Sequence, residues 1–424
     1  MNEMCGRDLK AEAEVVPVGH FALLPDTGHG ATKLALRIVE DVFGPGQEKL
    51  YEAFDNLLTA FALEKEHVYL VVIAPPRRLN DVHAWLTRLG FESDHFKLIG
   101  LRNGDFTDQD WPRDVLLCAT ADDGAPVAIE TLHERVGNLG GWIGGKLGMK
   151  KVQNKTLLID GGDSLVVDDR NWILGTGSLA QMVDYDQRPQ MWQAALDEIE
   201  RKIGRRPIPV GSFPVGNLLY RERLALARLQ VHRTARTGFN IAARSSLWAR
   251  VQDHLVAFYE FAKSVATKRS HDDIDAMDWA HADVVVSVTG RNFGNGPVVL
   301  VGDPKADGCP GSDTADAMAK ILKKVADDLT GRGFDVRRNP LPFCDGNILG
   351  YNNLIVQTDP DIVWLPTFGS DIAAMQAIDD ENYRIWNQDL RFPTVHRVEG
   401  MLAFAENSGC IHCATLALPP STQI

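Results

Sequence analysis

The most chemically suggestive stretch of the chain lies near its C-terminus, where Cys410-Ile411-His412-Cys413 follows a small-residue turn. A cysteine acts as a nucleophile only when a nearby base or positive charge favours its thiolate. The Cys-x-x-Cys spacing also fits a redox or zinc site, but the sequence has no second cysteine pair with zinc-ligand spacing. In an extended segment His412 would face away from Cys413, which predicts that His412 is a packing residue and that the base lies elsewhere.

Five clusters of residues could surround such a thiol. They are residues 110–114 (Asp-Trp-Pro-Arg-Asp), 140–146 (Gly-Gly-Trp-Ile-Gly-Gly-Lys), 160–163 (Asp-Gly-Gly-Asp), 281–283 (His-Ala-Asp) and 350–353 (Gly-Tyr-Asn-Asn). His281 and Asp283 stand at the start of the apolar run 284–288. Residues two apart in a strand point to the same face, so we expect both side chains to address one site.

These clusters, in this order, resemble the motifs of the guanidino-group-modifying superfamily (the penteins), and they look most like agmatine deiminases and protein-arginine deiminases. The motifs that carry the resemblance are Trp111-Pro112-Arg113-Asp114, Gly144-Gly145-Lys146, Asp160-Gly161-Gly162, His281-Ala282-Asp283, Tyr351-Asn352-Asn353 and Ile411-His412-Cys413-Ala414-Thr415. Each motif is weak alone, but six in order are specific. The resemblance covers roughly residues 100–180 and 278–420.

The resemblance implies an α/β fold: a five-bladed α/β propeller of strand-strand-helix-strand units around a central polar site, with residues 1–424 as a single catalytic domain. It also implies roles for the site residues. Cys413 would be the nucleophile and His281 the general acid and base. Asp114 and Asp283 would be catalytic carboxylates that bind the guanidinium, and Asp160 a further acidic residue near the site. No metal or organic cofactor is implied, and the expected partner is a small guanidino substrate.

The physical properties of these residues agree with such chemistry. A guanidinium is a planar cation with five N–H donors, which carboxylates match by accepting in pairs. A cation bound beside Cys413 would itself favour the thiolate. The predicted function is hydrolysis of the guanidino group of agmatine, or of a related guanidine, to a ureido product and ammonia through a covalent amidino-thioether.

Other assignments stay open. Asp160 stands where agmatine deiminases typically have Glu, and Val115 follows Asp114 in place of Gly. Free-arginine deimination, peptidyl-arginine deimination and amidino transfer therefore remain alternatives, as does a non-catalytic propeller that acts as a binding or regulatory module. Trp111 and Asp163 complete the predicted substrate-binding set, although a core aromatic and an ordinary turn carboxylate would look the same in the sequence.

Composition and charge limit the class of protein. The 424 residues, 45% of them hydrophobic and 24% charged, are ordinary for a soluble globular protein. No apolar run approaches the roughly 18 residues of a membrane span, and the first residues lack the apolar core of a signal peptide, so a cytoplasmic location without a membrane partner is expected. Six cysteines do not suggest a disulfide framework. The net charge of −13 argues against nucleic acid as a partner, whereas a homo-oligomer stays open.

Strand-like and helix-like patterns alternate along the chain, as in α/β folds. The predicted strands are 68–74, 156–159, 284–288, 298–301, 354–357 and 362–365, and the predicted helices lie at about 80–90, 313–331 and 370–390. From about 185 to 275 Leu and Ala recur at helical spacing with many basic residues between them, which predicts a basic helical insertion. Residues 26–33 suggest a phosphate loop but lack its Gly-Lys-Ser/Thr ending, so we predict an ordinary loop.

Overall fold

The computed structural model describes residues 15–28, 32–101, 111–131, 139–152, 157–183, 189–211, 281–305, 313–344, 347–406 and 409–423. The strands are β1 Phe21–Leu23, β2 Thr27–Gly28, β3 Thr32–Arg37, β4 Val68–Ala74, β5 Phe96–Gly100, β6 Leu116–Ala121, β7 Pro126–Glu130, β8 Lys150–Val152, β9 Ser164–Val166, β10 Trp172–Gly175, β11 Ile208–Val210, β12 Val286–Asn292, β13 Pro297–Lys305, β14 Asp335–Cys344, β15 Asn347–Ile348, β16 Ile355–Thr358, β17 Asp361–Pro366, β18 Thr394–Val398 and β19 Thr415–Leu418. The helices are α1 Glu48–Ala62, α2 Leu79–Arg88, α3 Leu139–Lys146, α4 Thr176–Met182, α5 Pro189–Ile203, α6 Ala282–Val285, α7 Asp313–Gly331, α8 Gln376–Arg384, α9 Leu402–Ala405 and α10 Ile411–Ala414. Short turns of 3-10 or π helix cover Glu40–Phe43, Pro76–Arg78, Pro112–Val115, Gly161–Asp163, Ala373–Met375 and Ile385–Asp389.

The described strands form five sheets, and each sheet contains the same arrangement. An antiparallel pair of strands leads through at least one helix into a third strand, which lies parallel to the second member of the pair. The pairs and their third strands are β6–β7 with β8, β9–β10 with β11, β12–β13 with β14, β16–β17 with β18, and β19–β3 with β4. In the last of these sheets β19, close to the C-terminus, pairs with β3, which lies in the first part of the chain. One sheet is therefore built from strands near both ends of the sequence.

Burial explains why these segments adopt their structures. Strand β4 is apolar along nearly its whole length and almost fully buried, as expected for a strand with parallel neighbours on both sides. Helix α1 directs one apolar stripe inward, and Phe54, Leu57 and Phe61 on that stripe join a core cluster with the strands of two sheets. No helix in the described part of the chain is both long and apolar enough to span a membrane.

The expectation of an α/β fold is confirmed, and individual elements agree closely with the sequence pattern. The strand predicted at 68–74 is β4, and the helix predicted at 313–331 is α7. The run 284–288 differs, because α6 takes up its first two residues and β12 begins only at Val286. Residues 157–159 of the strand predicted at 156–159 are irregular. The glycine-rich cluster 140–146 lies within helix α3.

Only the first part of the predicted basic insertion lies within the described residues. Helix α5 and strand β11 fall inside the range 185–275, and β11 pairs in parallel with β10 over three residues. This part of the range therefore belongs to the sheet formed by β9, β10 and β11. Residues 212–280, which contain the rest of the predicted insertion, lie outside the described residues.

Candidate active site

Each of the five antiparallel pairs is preceded by a short turn, and these turns carry the residues singled out in the sequence. They are Pro112–Val115 before β6, Gly161–Asp163 before β9, α6 before β12, residues 350–353 before β16 and α10 before β19. The first two turns pack on each other, α6 packs on the second, and α10 packs on the first. Residues that are far apart in the chain thus meet at one place, with each sheet contributing one segment.

Cys413 lies in α10, is only 1% exposed and is held from two directions. The side-chain Nδ2 of Asn353 donates a hydrogen bond to the Cys413 sulfur at 3.0 Å, and its Oδ1 accepts one from the Cys413 backbone N–H at 3.1 Å. The two carboxylate oxygens of Asp283 lie 3.4 and 3.7 Å from the same sulfur. A sulfur fixed in this way is oriented before any substrate arrives.

The surroundings of Cys413 favour its neutral thiol. Burial and the Asp283 carboxylate raise the pKa of Cys413 to about 12, while the neighbouring His281 acts in the opposite direction. A positive charge placed against the sulfur would shift this balance toward the thiolate. The site therefore suits a cationic ligand that activates the nucleophile by binding.

His281 precedes α6 and keeps 30% of its side chain exposed. Its Nδ1 is 3.5 Å from Oδ1 of Asp114, and its Nε2 is 3.7 Å from Oδ2 of Asp160. Burial lowers the pKa of His281, but Asp114, Asp160 and the Cys413 sulfur outweigh it and raise that pKa well above its usual value. At neutral pH the ring is therefore a charged imidazolium that can give up a proton to a bound molecule.

Glycine is required beside this imidazole for steric reasons. A Cβ added to Gly162 would lie 2.5 Å from Nδ1 of His281, and one added to Gly161 would collide with the backbone oxygen of Arg113. The backbone N–H of Gly162 also donates to Oδ1 of Asp114 at 3.3 Å. The Asp-Gly-Gly pattern thus lets a histidine and a carboxylate approach the turn closely.

A second buried histidine, His412, joins the site through two carboxylates. Its Nδ1 is 2.8 Å from Oδ2 of Asp283, and its Nε2 is 3.2 Å from Oδ1 of Asp26. Arg113 pairs with Asp26, donates to the backbone oxygen of Ser164 at 3.0 Å, and places its Nε 3.9 Å from Oδ2 of Asp283. Residues 411–414 form a helical turn, so the extended segment assumed for His412 is wrong and its ring reaches the site.

Asp163, predicted to bind substrate, has a different set of neighbours. Its Oδ2 accepts from the backbone N–H and the hydroxyl of Ser178 at 2.8 and 2.7 Å, and its Oδ1 accepts from the backbone N–H of Ala282 at 3.1 Å. Burial raises the pKa of Asp163. With both oxygens engaged and 2% of the residue exposed, Asp163 fixes the turn that presents His281, and the substrate-binding role predicted for Asp163 stays a prediction.

Trp111 borders the same region from the first turn. Its ring is half-buried, meets Phe404 edge to face at 5.8 Å, and lies against Gly409, where an added Cβ would be 2.8 Å from the indole and 3.1 Å from Cβ of Cys413. The indole and Cβ of Cys413 therefore both lie beside the same face of Gly409. The substrate-binding role predicted for Trp111 stays a prediction.

One ligand-capable atom from each of His281, Asp283 and Cys413 lies within 4.8 Å of the other two. A thiol, an imidazole and a carboxylate are ligand types that zinc accepts. In this structure Asn353 already holds the sulfur and His412 already holds the Asp283 carboxylate, so we assign no metal to the set. The same short distances place the imidazole and the sulfur close enough to cooperate in proton transfer.

Four residues of this site received no catalytic or binding role from the sequence. Asn353 and Arg113 stand inside two of the six motifs, but the motifs do not predict that Asn353 contacts Cys413 or that Arg113 lies near Asp283. For His412 the sequence predicts a packing role, because that prediction assumes an extended segment. Asp26 lies directly before β2, in the segment 26–33 that the sequence predicts as a loop, a prediction that is wrong at β2 and at the start of β3. Nothing in its sequence context indicates that Asp26 meets Arg113 and His412.

The fold is shared with solved structures of agmatine deiminases. The C. jejuni agmatine deiminase matches with a TM-score of 0.58 over 95% of this chain and 97% of its own, at 13% identity. The agmatine deiminase of Enterococcus faecalis matches with a TM-score of 0.57 over 96% of this chain and 99% of its own, also at 13% identity. No protein-family model matches the sequence, and no curated protein matches it. At this identity the likeness establishes the α/β fold.

Proposed function

We propose that the protein is a deiminase that hydrolyses the guanidino group of agmatine, or of a related small guanidine, to a ureido product and ammonia. The observation that carries the proposal is the meeting of a buried thiol, a charged imidazole and several carboxylates at one place, with the reactive atoms of Cys413, His281 and Asp283 within 4.8 Å. The fold shared with agmatine deiminases adds support.

Binding would use the carboxylates around the imidazole and the sulfur. Asp283 stands 3.4 Å from the Cys413 sulfur, and Asp114 and Asp160 stand within 4 Å of the His281 ring. Carboxylates at these positions can accept the N–H donors of a planar guanidinium and turn its carbon toward the sulfur. Because the surrounding charges are mostly negative, a cationic substrate is favoured over an anionic one.

The first half of the reaction forms a covalent intermediate. The bound cation stabilises the Cys413 thiolate, whose proton passes to water. The sulfur attacks the guanidino carbon and forms a C–S bond in a tetrahedral adduct. His281 donates its proton to the departing nitrogen as the C–N bond breaks, so that ammonia leaves and an amidino-thioether remains on Cys413.

The second half regenerates the enzyme with the same groups. His281, now neutral, accepts a proton from a water molecule whose oxygen attacks the amidino carbon. The C–S bond breaks, the hydroxyl of the adduct gives its remaining proton to solvent water as the C=O bond forms, the neutral ureido product departs, and Cys413 returns to a thiolate beside a charged His281. The 30% exposure of the His281 side chain gives water a route to this base.

We further propose that the five sheets are the blades of one α/β propeller and that the whole chain is a single catalytic domain. Each sheet contributes one turn to the site, as blades placed around a central site would. The basic insertion predicted at about 185–275 would then extend from the sheet that contains β11 toward the sheet that contains β12.

A substrate panel tests the proposed function. Agmatine, free arginine, arginyl peptides and methylated arginines are incubated with the protein, and ammonia and ureido product are measured. We expect turnover of agmatine or another small guanidine, and loss of that turnover in Cys413→Ala. Cys118→Ala is the matched control, because Cys118 is another buried thiol, in β6, and should leave turnover unchanged.

Each result of the panel leads to a different conclusion. Turnover that survives in Cys413→Ala would remove this residue from the mechanism. Consumption of a guanidine without ammonia, but with transfer of its amidino group to an added amine, would assign amidino transfer. Binding of guanidines without any product would replace the deiminase with a binding module.

A further inference from the structure

We propose that His412 is a positioning residue that holds Asp283 and balances its charge, so that a thiolate can form beside that carboxylate. This inference rests on the proposed function, since it concerns the nucleophile Cys413. The ring is 91% buried, and both of its nitrogens face carboxylate oxygens, at 2.8 Å to Asp283 and 3.2 Å to Asp26. No other described histidine has both ring nitrogens facing hydrogen-bonded carboxylates at these distances.

The hydrogen-bond partners of His412 are two carboxylates, one at each ring nitrogen. Asp26 and Asp283 both face Arg113, and although burial raises the pKa values of these two carboxyl groups, their contacts with Arg113 and His412 lower both. An ionised carboxylate only accepts hydrogen bonds. With both carboxylates acting as acceptors, we place an N–H on each ring nitrogen of His412, one directed at Asp283 and one at Asp26.

The hydrogen bond from His412 matters because the charge of Asp283 has two opposing effects in the site. Asp283 is needed close to the sulfur to hold a cation, yet at 3.4 Å its own negative charge opposes formation of the Cys413 thiolate. The His412 proton on Oδ2 of Asp283 withdraws charge from the same oxygen that is nearest the sulfur. Arg113 adds a second positive charge at 3.9 Å from that oxygen.

His412 is also well placed to fix geometry. It precedes Cys413 in the single turn α10, so the bond from its ring to Asp283 ties the turn that carries the nucleophile to the turn that carries the carboxylate. Asn353 supplies a separate tie to Cys413, from the turn before β16. The sulfur and Asp283 therefore keep their separation through contacts that do not involve the substrate.

Two substitutions test the contacts of the two ring nitrogens separately. The amide nitrogen of Asn lies near the position of Nδ1 of histidine, so His412→Asn keeps a neutral donor for Asp283. The amide nitrogen of Gln lies near the position of Nε2, so His412→Gln keeps a donor for Asp26 and leaves Asp283 without one. Loss of a charge-assisted hydrogen bond corresponds to about 10- to 100-fold in rate. We expect kcat/KM to fall about 10-fold in His412→Asn and about 100-fold in His412→Gln, mainly through kcat.

A second readout needs no substrate. The rate at which iodoacetamide alkylates Cys413 is measured against pH in the resting protein, with the alkylated peptide identified by mass spectrometry. The charged or titratable groups that face this sulfur or lie close to it are Asp283, Asp114, His281, Arg113 and Cys410. Both His412 variants should shift the alkylation profile to higher pH, more in His412→Gln, because a positive charge has left the cluster. Asp26→Asn removes a negative charge from the same cluster and should not slow alkylation.

His396→Asn is the matched control, since His396 also pairs with a carboxylate, Glu64 at 2.8 Å, but on β18. It should leave both readouts unchanged. A role limited to packing would lower stability and activity equally in both His412 variants and leave the alkylation profile in place, and that result would overturn the proposal. A panel without any guanidine turnover would refute the deiminase, whereas the alkylation profile would still decide the role of His412.

Discussion

Replacing Asn353 with aspartate changes one atom beside the nucleophile and almost nothing else. The new side chain has the same size, and its Oδ1 can still accept the hydrogen bond from the Cys413 backbone N–H, which is 3.1 Å long with Asn353. The donor that Asn353 directs at the sulfur at 3.0 Å becomes a carboxylate oxygen. The Cys413 thiolate would then face two carboxylates, because Asp283 already lies 3.4 Å away.

The size of the effect follows from two routes open to the Asn353→Asp variant. If the introduced carboxylate stays ionised, a second negative charge at about 3 Å opposes the thiolate by about 5 kcal/mol at an effective dielectric constant of about 20. If the introduced carboxyl group is protonated instead, moving its pKa from about 4 to above about 7 costs about 4 kcal/mol. The easier route sets the outcome, so kcat/KM at about pH 7 should fall by about 1,000-fold.

Ureido product formation and iodoacetamide alkylation of Cys413 are measured together for this variant. Both rates should fall, and both should recover partly at acidic pH relative to wild type, where the new carboxyl is protonated more easily. Asn292→Asp is the matched control: Asn292 accepts a hydrogen bond from the Gly294 N–H in an exposed turn, and aspartate accepts it equally well. A decrease of less than about 10-fold in Asn353→Asp would refute the idea that Asn353 stabilises the thiolate.

Two further predictions follow from the geometry around the imidazole and the sulfur. In Gly162→Ala the new Cβ would lie 2.5 Å from Nδ1 of His281, so kcat should fall at least about 10-fold in product-formation assays. In the control Gly145→Ala, on helix α3, the new Cβ meets nothing within 4 Å, so kcat should stay unchanged while stability in thermal denaturation rises by up to about 1 kcal/mol. Equal kcat values in the two variants would contradict the close packing of Gly162 against His281. The reactive form pairs a Cys413 thiolate with a charged His281, and both pKa values are raised, so kcat/KM should rise with pH from the acidic side and level off once His281 begins to lose its proton; a kcat/KM that falls as the pH rises from about 6 to about 7 would contradict this assignment of charges.

The parts of the fold that the sequence predicts are those whose stability is local. Strand β4 and helix α7 were recognisable because a continuous apolar run or an amphipathic repeat is enough to define each of them. The short turns before the strands carry no such signal. Val284 and Val285 have high strand propensity, yet they lie in α6, where the Asp163 carboxylate receives the backbone N–H of Ala282 at the start of the turn. A contact from a distant segment overrides local preference there.

The same distinction applies to the site. Cys413, His281, Asp283, Asp114 and Asp160 could be named in advance because their types and order along the chain carry the resemblance, and the structure brings them together. The contacts among Asn353, His412 and Asp26 depend on which turns face one another, and that depends on how the sheets pack. One wrong assumption, an extended segment at 411–414, was enough to direct the His412 ring away from the site.

The central claim is that Cys413 forms a covalent amidino-thioether with a guanidine, and trapping that adduct tests it most directly. The protein is mixed with the guanidine that it turns over, quenched in acid within the first turnover, digested and analysed by tandem mass spectrometry. The peptide containing Cys413 should be heavier by the mass of the substrate less ammonia, and this adduct should decay as ureido product appears. Ureido product formed with no adduct on Cys413 at any time, or with an adduct on another residue, would contradict the central claim.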